Sequence, residues 1–350
     1  MTRMSIRAEF PGSSRNTDAG HAAMLGAMAG PLAHMLDVAR FLPGETGGWS
    51  DALVSGTRRH LAGCLHAVER DFRAALGHGP AVHSPSTWDG VCAAPQIISR
   101  DLLAHMRCRA AVGLMGLQDG IGLNGAAAPP GEDIGWLVHD ADAAIGAAAL
   151  TLLQSERRWS VAGEAGLPAD LPSEHYAELV WIVVALGVVR VAVQDMGALT
   201  DVALRLIAAH DEQQGPIAQA DMLARVLGQR ADADQMLGQS LAQRRLLLFA
   251  ALAGQRQGMD CATMLDALVH ASRDGLAGLC LALGGSASDY RHLLLQLKLL
   301  HSDWNDEAIL SAAAAFDQIT PFQAAATVGA FRCPRELRAK LELIGAMTLR

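Results

Sequence analysis

The chain has 350 residues, of which 51% are hydrophobic, and a formal net charge of -8, so it can bury the core of one large or two ordinary domains. Its 28 basic residues form no block that would neutralise phosphates, which argues against general nucleic-acid binding and leaves only a local arginine site open. Its six cysteines lie far apart without a C-x-x-C pair, as is typical of reduced thiols in a cytoplasmic protein.

The N-terminal end predicts little structure. Residues 1–20 are polar and arginine-bearing, so we expect a disordered lead-in. The apolar stretch after it resembles the central region of a signal peptide, but Asp18 and His21 stand where that region should begin and Pro31 interrupts it. We therefore expect a cytoplasmic protein whose N-terminal helical region covers residues 21–160.

Helical periodicity runs through this region. Between residues 51 and 76, apolar side chains fall on one stripe, which predicts an amphipathic helix. Further helices are predicted near residues 97–118 and 133–158. Loops rich in Gly and Pro separate the helices at residues 77–90, 119–133 and 161–173, and they are the expected places for mobility or a binding edge.

The stretch "WIVVALGVVRVAV" at residues 181–193 admits three interpretations: a buried helix, a strand or a membrane span. Pro172 and Ser173 signal a helix start, and no turn residue follows before Met196, which gives a length too great for an ordinary strand. A membrane helix needs about 20 consecutive apolar residues, and Arg190 interrupts this run. We therefore predict a buried central helix in which Arg190 reaches water or a carboxylate.

The C-terminal half, residues 173–350, shows repeated helix starts. The predicted caps are Asp260, Asp274, Ser288, Asp303, Thr320 and Cys333. Alternate starts advance by about 30 residues, the length of one helical hairpin in stacked arrays. The predicted fold class is all-α and multi-helical, either an irregular α-solenoid-like stack or an orthogonal helical bundle. The two regions are also compatible with one continuous domain.

The order of several segments resembles a known family. The segments are "HLAGCLHAVERDFRAALGHG", "APQIISRDLLAHMRCRA", "WLVHDADAAIGAAALTLLQSE", "LPSEHYAELVW" and "AFDQITPFQAAATVGAFRCPRELRAKLELIGA". In that order they resemble domain of unknown function family 2336, a family of alphaproteobacterial helical proteins, over roughly residues 50 to 348. The resemblance implies an all-helical, bacterial, cytoplasmic protein with repeat-like helices, and it carries over no functional residues.

Three Asp and His pairs have the spacing of neighbours on a helix: Asp101 with His105, Asp266 with His270, and Asp289 with His292. A metal site needs three or four converging ligands, and nothing in the sequence brings two pairs together. Each pair is therefore interpreted as a local ion pair or hydrogen bond. We also expect Asp140 and Asp142, in "VHDADAA", to point to different sides of one helix.

Other chemical signatures fail in their context. "GGSASD" at residues 284–289 lacks the order of a hydrolase nucleophile elbow. The glycines at 120, 122 and 125 follow a helix, so they do not form a dinucleotide-binding turn. The pairs Arg157-Arg158 and Arg244-Arg245 could grip an anionic group of a partner, but solvated charges at helix ends are the simpler interpretation. We predict no catalytic, cofactor-binding or metal-binding residues.

The functional prediction is a non-enzymatic helical interaction or scaffold protein. It would bind a protein partner of unknown identity through a groove between its helices. We expect no nucleic-acid partner and no membrane span. The sequence is compatible with a monomer or a homodimer. The alternative is a binder or sensor of a small apolar ligand, held in a pocket among the helices around Trp181.

Overall fold

The computed structural model describes residues 48–77, 87–117, 135–160, 168–190 and 196–334, together with residues 337, 340 and 344. The first seven helices are α1 (Asp51–Ala75), α2 (Thr87–Ala93), α3 (Arg100–Leu117), α4 (Gly135–Val138), α5 (Ala143–Ser160), α6 (Ser173–Arg190) and α7 (Met196–Ala209). The next are α8 (Pro216–Leu227), α9 (Asp234–Ala242), α10 (Leu246–Gln257), α11 (Cys261–His270), α12 (Arg273–Ala282), α13 (Ala287–Leu297), α14 (Asp306–Ala315) and α15 (Pro321–Arg332).

No strand occurs in this described part, and its one β-bridge joins Trp49 to His301. The predicted all-α class is thus confirmed. Helices close to each other in the chain often pack together, such as α1 with α3 and α10 with α11, whereas α12 packs on the more distant α15. The choice between a solenoid-like stack and a bundle stays a prediction.

The buried side chains form two hydrophobic clusters. One joins α1, α2 and α3 to α6 and α7, and the other joins α5 and the helices from α8 onward. Helix α3 belongs to both: Leu102, Leu103 and Met106 lie in the first cluster, and Ala111 and Met115 in the second. The second cluster contains residues from both sides of the predicted boundary between residues 160 and 173. Because α3 packs in both clusters, it connects the two predicted regions.

Close approach of helices depends on two glycines. A Cβ atom at Gly113 of α3 would lie 2.7 Å from the carbonyl oxygen of Trp159 in α5. A Cβ atom at Gly278 of α12 would lie 2.7 Å from the hydroxyl of Thr327 in α15. Since either contact is shorter than atoms tolerate, a larger residue at these positions would push the paired helices apart.

Helix ends match the predicted caps in part. Asp260 and Thr320 are confirmed, because their side chains accept the backbone amides of Thr263 and Gln323. Three predicted caps are wrong: the caps are Ser272, Ser286 and Asn305 instead of Asp274, Ser288 and Asp303. Each of these caps accepts the backbone amide three residues later, whereas Asp274 already lies inside its helix. The helix predicted to begin at Cys333 falls largely outside the described residues.

The helix predicted over residues 133–158 is in fact two helices, α4 and α5. Between them Asp140 accepts the backbone amide of Asp142, and Asp142 in turn accepts that of Ala144. These side chains satisfy the amides at the start of α5 and replace one helical turn with a bend. The expectation that Asp140 and Asp142 share a helix is therefore wrong. Asp140 instead forms a two-point ion pair with Arg230, which lowers the pKa of the Asp140 carboxyl to about 2.

Of the stretch "WIVVALGVVRVAV", residues 181–190 belong to α6. Leu179, Val180 and Val183 are buried, but Trp181 is 40% exposed, so α6 covers one side of its cluster instead of running through the centre of the protein. No helix in the described ranges is long and apolar enough to cross a membrane. The side chain of Arg190 and residues 191–195 lie outside the described part, so the prediction for Arg190 stays a prediction.

Arg244 has a left-handed backbone with a φ of 57°, where a side chain is strained. We expect Arg244→Gly to raise the free energy of unfolding by about 1 kcal/mol, because glycine adopts this conformation without a steric cost. Urea unfolding would measure the change. The neighbouring Arg245→Gly is the control: Arg245 has a φ of -80° and forms an ion pair with Glu156, so its loss should lower stability. Equal effects of the two changes would contradict the strain argument.

Candidate functional site

A cleft of about 340 Å³ opens where the two hydrophobic clusters meet. Its walls come from α3, the end of α5, the segment 168–172, the start of α6, the turn before α8, α8 itself and the start of α11. We call it the acidic cleft, because its lining includes the carboxylates of Asp170, Glu174, Glu212, Asp221 and Asp260. Its size is at the lower end of the range for ligand-binding pockets.

The floor of the acidic cleft is fixed by one buried carboxylate. Asp170 accepts hydrogen bonds from Arg109 (2.8 Å), from the indole of Trp159 (3.2 Å) and from Arg158 (3.2 Å). The side chains of Arg109 and Asp170 are only 5% and 4% exposed. Arg109 also donates to the Asp170 carbonyl and lies over the Trp159 ring, 4.7 Å from its centre. These contacts fasten the segment 168–172 to α3 and α5.

Aromatic and imidazole rings support the same wall. His105 of α3 is buried with its ring 6.4 Å from that of Trp159 and 4.8 Å from that of His175. Tyr176 stacks on His210 with the ring centres 3.9 Å apart, and Nε2 of His210 lies 2.7 Å from the carbonyl oxygen of Leu171. The buried side of this wall is therefore closely packed.

Negative charge dominates the lining. Against its carboxylates the lining has one arginine, Arg225, and the charge of Asp170 is already compensated by Arg109 and Arg158. Hydrogen bonds from the hydroxyl and amide of Ser173 lower the pKa of Glu212, whereas burial raises the pKa of Asp221. The remaining carboxylates outnumber the arginine, so the cleft attracts cations.

A second cleft of about 290 Å³ lies between α9, α10, α12 and α13, and apolar side chains such as Leu237, Phe249 and Leu293 predominate in it. Asp289 and His292 lie at its edge. Asp289 accepts hydrogen bonds from the amide and the hydroxyl of Ser286 in a capping box, and His292 lies 3.4 Å from the amide of Gln296, so the hydrogen bonds found for Asp289 and His292 are not those of the predicted pair.

The pair Asp266 and His270 forms the predicted ion pair, with Nδ1 of His270 3.0 Å from Oδ1 of Asp266. The fold brings a third group, the thiol of Cys108, to this pair. An atom from each of Cys108, Asp266 and His270 lies within 4.8 Å of the others. This is the one such grouping among the residues that the structure describes. Cys108 belongs to α3, so the sequence gives no spacing that would reveal it.

The two arginine pairs are partly structural. Arg157 is exposed, as expected, but Arg158 binds Asp170 and donates to the carbonyl of Gln214 at 2.7 Å. Arg245 lies 3.6 Å from the buried Glu156 and thereby joins α10 to α5. The interpretation of Arg158 and Arg245 as solvated helix-end charges is wrong, because the folded chain brings a carboxylate to each of them.

The remaining predicted positions are spread over the fold. Asp101 lies in the first turn of α3, and its predicted partner His105 faces the acidic cleft. Trp181 lines neither of the two clefts described above. The glycines at 120, 122 and 125 and the loop 119–133 lie outside the described residues, as do residues 1–20. Of the loop 161–173, predicted as a binding edge, residues 170–172 do line the acidic cleft.

Comparisons of the chain with protein-family models, with curated proteins and with solved structures found no match. The resemblance to domain of unknown function family 2336 therefore stays a prediction.

Proposed function

We propose that the protein is a non-enzymatic interaction protein and that its acidic cleft receives a positively charged segment of a protein partner. The observation that carries this proposal is the lining of the cleft, in which carboxylates from the segment 168–172, from α6, from the turn before α8, from α8 and from the cap of α11 face a single arginine. A lysine or arginine side chain entering there would meet acceptors on several sides.

The construction of the cleft supports a binding role. Its floor is anchored by the buried pair of Arg109 and Asp170, so little conformational freedom is lost when a segment binds. Its volume of about 340 Å³ suits a few side chains and not a folded domain. A partner would therefore insert a short basic segment and make its other contacts outside the cleft.

The same lining argues for binding and against covalent catalysis. Cys108, whose thiol lies beside an imidazole, is 4% exposed and lines neither cleft, so a substrate in either cleft could not reach it. None of the six cysteines forms a disulfide bond, which fits the cytoplasmic location that we include in the proposal.

The proposal is tested by neutralising the cleft without disturbing its hydrogen bonds. The triple variant Glu174→Gln, Asp221→Asn and Asp260→Asn removes three negative charges, and Asn keeps the capping oxygen of Asp260 and the acceptor that Asp221 offers to the amide of Cys261. Short fluorescent peptides graded in net charge are titrated against wild type and variant by anisotropy. We expect the wild type to favour the most basic peptides, the variant to bind them at least about tenfold more weakly, and added salt to weaken wild-type binding.

A matched control neutralises three exposed carboxylates that line neither cleft: Asp274→Asn, Glu307→Gln and Asp317→Asn. It changes the net charge by the same amount, so it should retain the affinity of the wild type. If both triple variants lose affinity equally, the attraction comes from the overall charge of the protein and the acidic cleft is not the binding site. The proposal also fails if basic and acidic peptides bind the wild type equally.

A further inference from the structure

The grouping of Cys108, Asp266 and His270 lies at the packing of α3 against α11. Cys108 is in the middle of α3, and the other two residues are one turn apart on α11. Their thiol, carboxylate and imidazole groups each offer an atom within 4.8 Å of the other two. Zinc binds thiolate sulfur, imidazole nitrogen and carboxylate oxygen in proteins, and its sites are usually tetrahedral.

The distances fit such an ion after a small adjustment. Around zinc the bond lengths of about 2.0–2.3 Å place neighbouring ligand atoms about 3.3–3.6 Å apart. Nδ1 of His270 and Oδ1 of Asp266 are already 3.0 Å apart, and a ligand atom of each of the three residues lies within 4.8 Å of the other two, so the thiol must approach by about 1 Å. The ring of Trp49 packs edge-on against His270 with centres 5.6 Å apart, so it fixes the orientation of the imidazole.

The three side chains are too deeply buried for an organic substrate but are accessible to a metal ion. Cys108 is buried, and the side chains of His270 and Asp266 are 15% and 16% exposed. An ion can therefore reach the group from the side of α11, while an organic substrate could not approach the sulfur. Three protein ligands leave one position of a tetrahedral ion for water.

We infer that Cys108, Asp266 and His270 form a Zn²⁺ site that joins α3 to α11. Binding releases the thiol proton of Cys108 to solvent and forms bonds from zinc to sulfur, nitrogen and oxygen, with no change in oxidation state. The ion replaces the direct ion pair between Asp266 and His270 and connects the N-terminal helices to the C-terminal half. This inference does not depend on the acidic cleft.

The test uses the full chain, stripped with a chelator and then titrated with Zn²⁺, with Co²⁺ as a spectroscopic substitute. We expect one metal per chain by elemental mass spectrometry, a sulfur-to-cobalt charge-transfer band, and a rise in the melting temperature with zinc. Cys108→Ser should abolish the band. It should also weaken Zn²⁺ binding by more than about 100-fold. Loss of a residue that only hydrogen-bonds a metal ligand costs about 10–100-fold, and loss of a ligand should cost more. Asp266→Asn and His270→Gln should weaken binding as well.

Cys280→Ser is the matched control, because Cys280 is equally buried but belongs to the second cleft. It should keep the cobalt band and the zinc-dependent rise in melting temperature. Since Cys108→Ser could lower stability by itself, each variant is compared with and without metal, and only the difference is interpreted. The inference is overturned if the wild type binds no metal, or if Cys108→Ser and Asp266→Asn retain it as tightly as the wild type.

Discussion

Replacing Asp170 with Asn is expected to lower the free energy of unfolding by about 3–5 kcal/mol. The carboxylate is buried and accepts hydrogen bonds from Arg109, Trp159 and Arg158. Removing its charge leaves the guanidinium of Arg109 buried without the carboxylate that compensates it, in a place where water cannot take over that role. The attachment of the segment 168–172 to α3 and α5 would also be weakened, with the bond from Arg109 to the Asp170 carbonyl remaining.

Urea unfolding at neutral pH, followed by circular dichroism, measures this loss. Glu174→Gln is the control, because Glu174 is an exposed carboxylate of the same cleft and should change stability by less than about 0.5 kcal/mol. A similar small effect of Asp170→Asn would mean that the contacts of Asp170 do not hold this wall of the cleft together.

Acidification from pH 6.5 to pH 4 is expected to destabilise the protein through His301. Its ring is stacked between those of Trp49 and Trp304, and Nε2 is buried and makes no hydrogen bond with the residues described. Burial lowers the pKa of His301 from 6.5 to about 4, and Arg273 and His270 act in the same direction while Asp303 opposes them. The unfolded chain therefore binds a proton between pH 6.5 and pH 4 that the folded protein does not.

The stability that depends on a neutral His301 is fully present above pH 6.5. It is lost as the pH falls to about 4, where the folded protein also takes up the proton. The drop in pKa from 6.5 to about 4 corresponds to roughly 3 kcal/mol. His301→Phe keeps the stacked ring but cannot be protonated, so its stability should fall by about 3 kcal/mol less than that of the wild type across this interval.

Urea unfolding at pH 7.5 and at pH 4, with chelator present in every sample, compares the two proteins. The control His66→Gln changes an exposed histidine of α1 and should leave the pH dependence as it is in the wild type. Burial also lowers the pKa of His60, so part of the acid sensitivity should persist in His301→Phe. If wild type and His301→Phe have the same pH dependence, His301 is not held neutral by the fold.

Local sequence signals predicted the helices well because their causes are local. Asp260 and Thr320 act as caps through contacts with backbone amides only three residues away. The same locality explains the errors: Ser286 and Ser288 are both suitable caps, and the capping box with Asp289 favours Ser286. The break between α4 and α5 was missed because Asp140 and Asp142 stabilise a bend as readily as they are accommodated in a helix.

The candidate sites could not be predicted in this way, since their residues meet only through the packing of distant helices. Asp170 gave no signal, as it stands in a Gly- and Pro-rich loop, yet it receives Arg109 from α3. Cys108 is separated in the sequence from Asp266 and His270 by the helices α4 to α10. A buried charge or a converging ligand becomes visible only when the long-range contacts are known.

The membership of α3 in both hydrophobic clusters has a consequence for the order in which the chain can fold during synthesis. The half of α3 that carries Leu102, Leu103 and Met106 can be covered once α6 and α7 have emerged from the ribosome. The half that carries Ala111 and Met115 packs partly on α5 and partly on α10 and α11, so it is fully covered only after these later helices have emerged. A nascent chain paused after α7 therefore still exposes part of the apolar surface of α3.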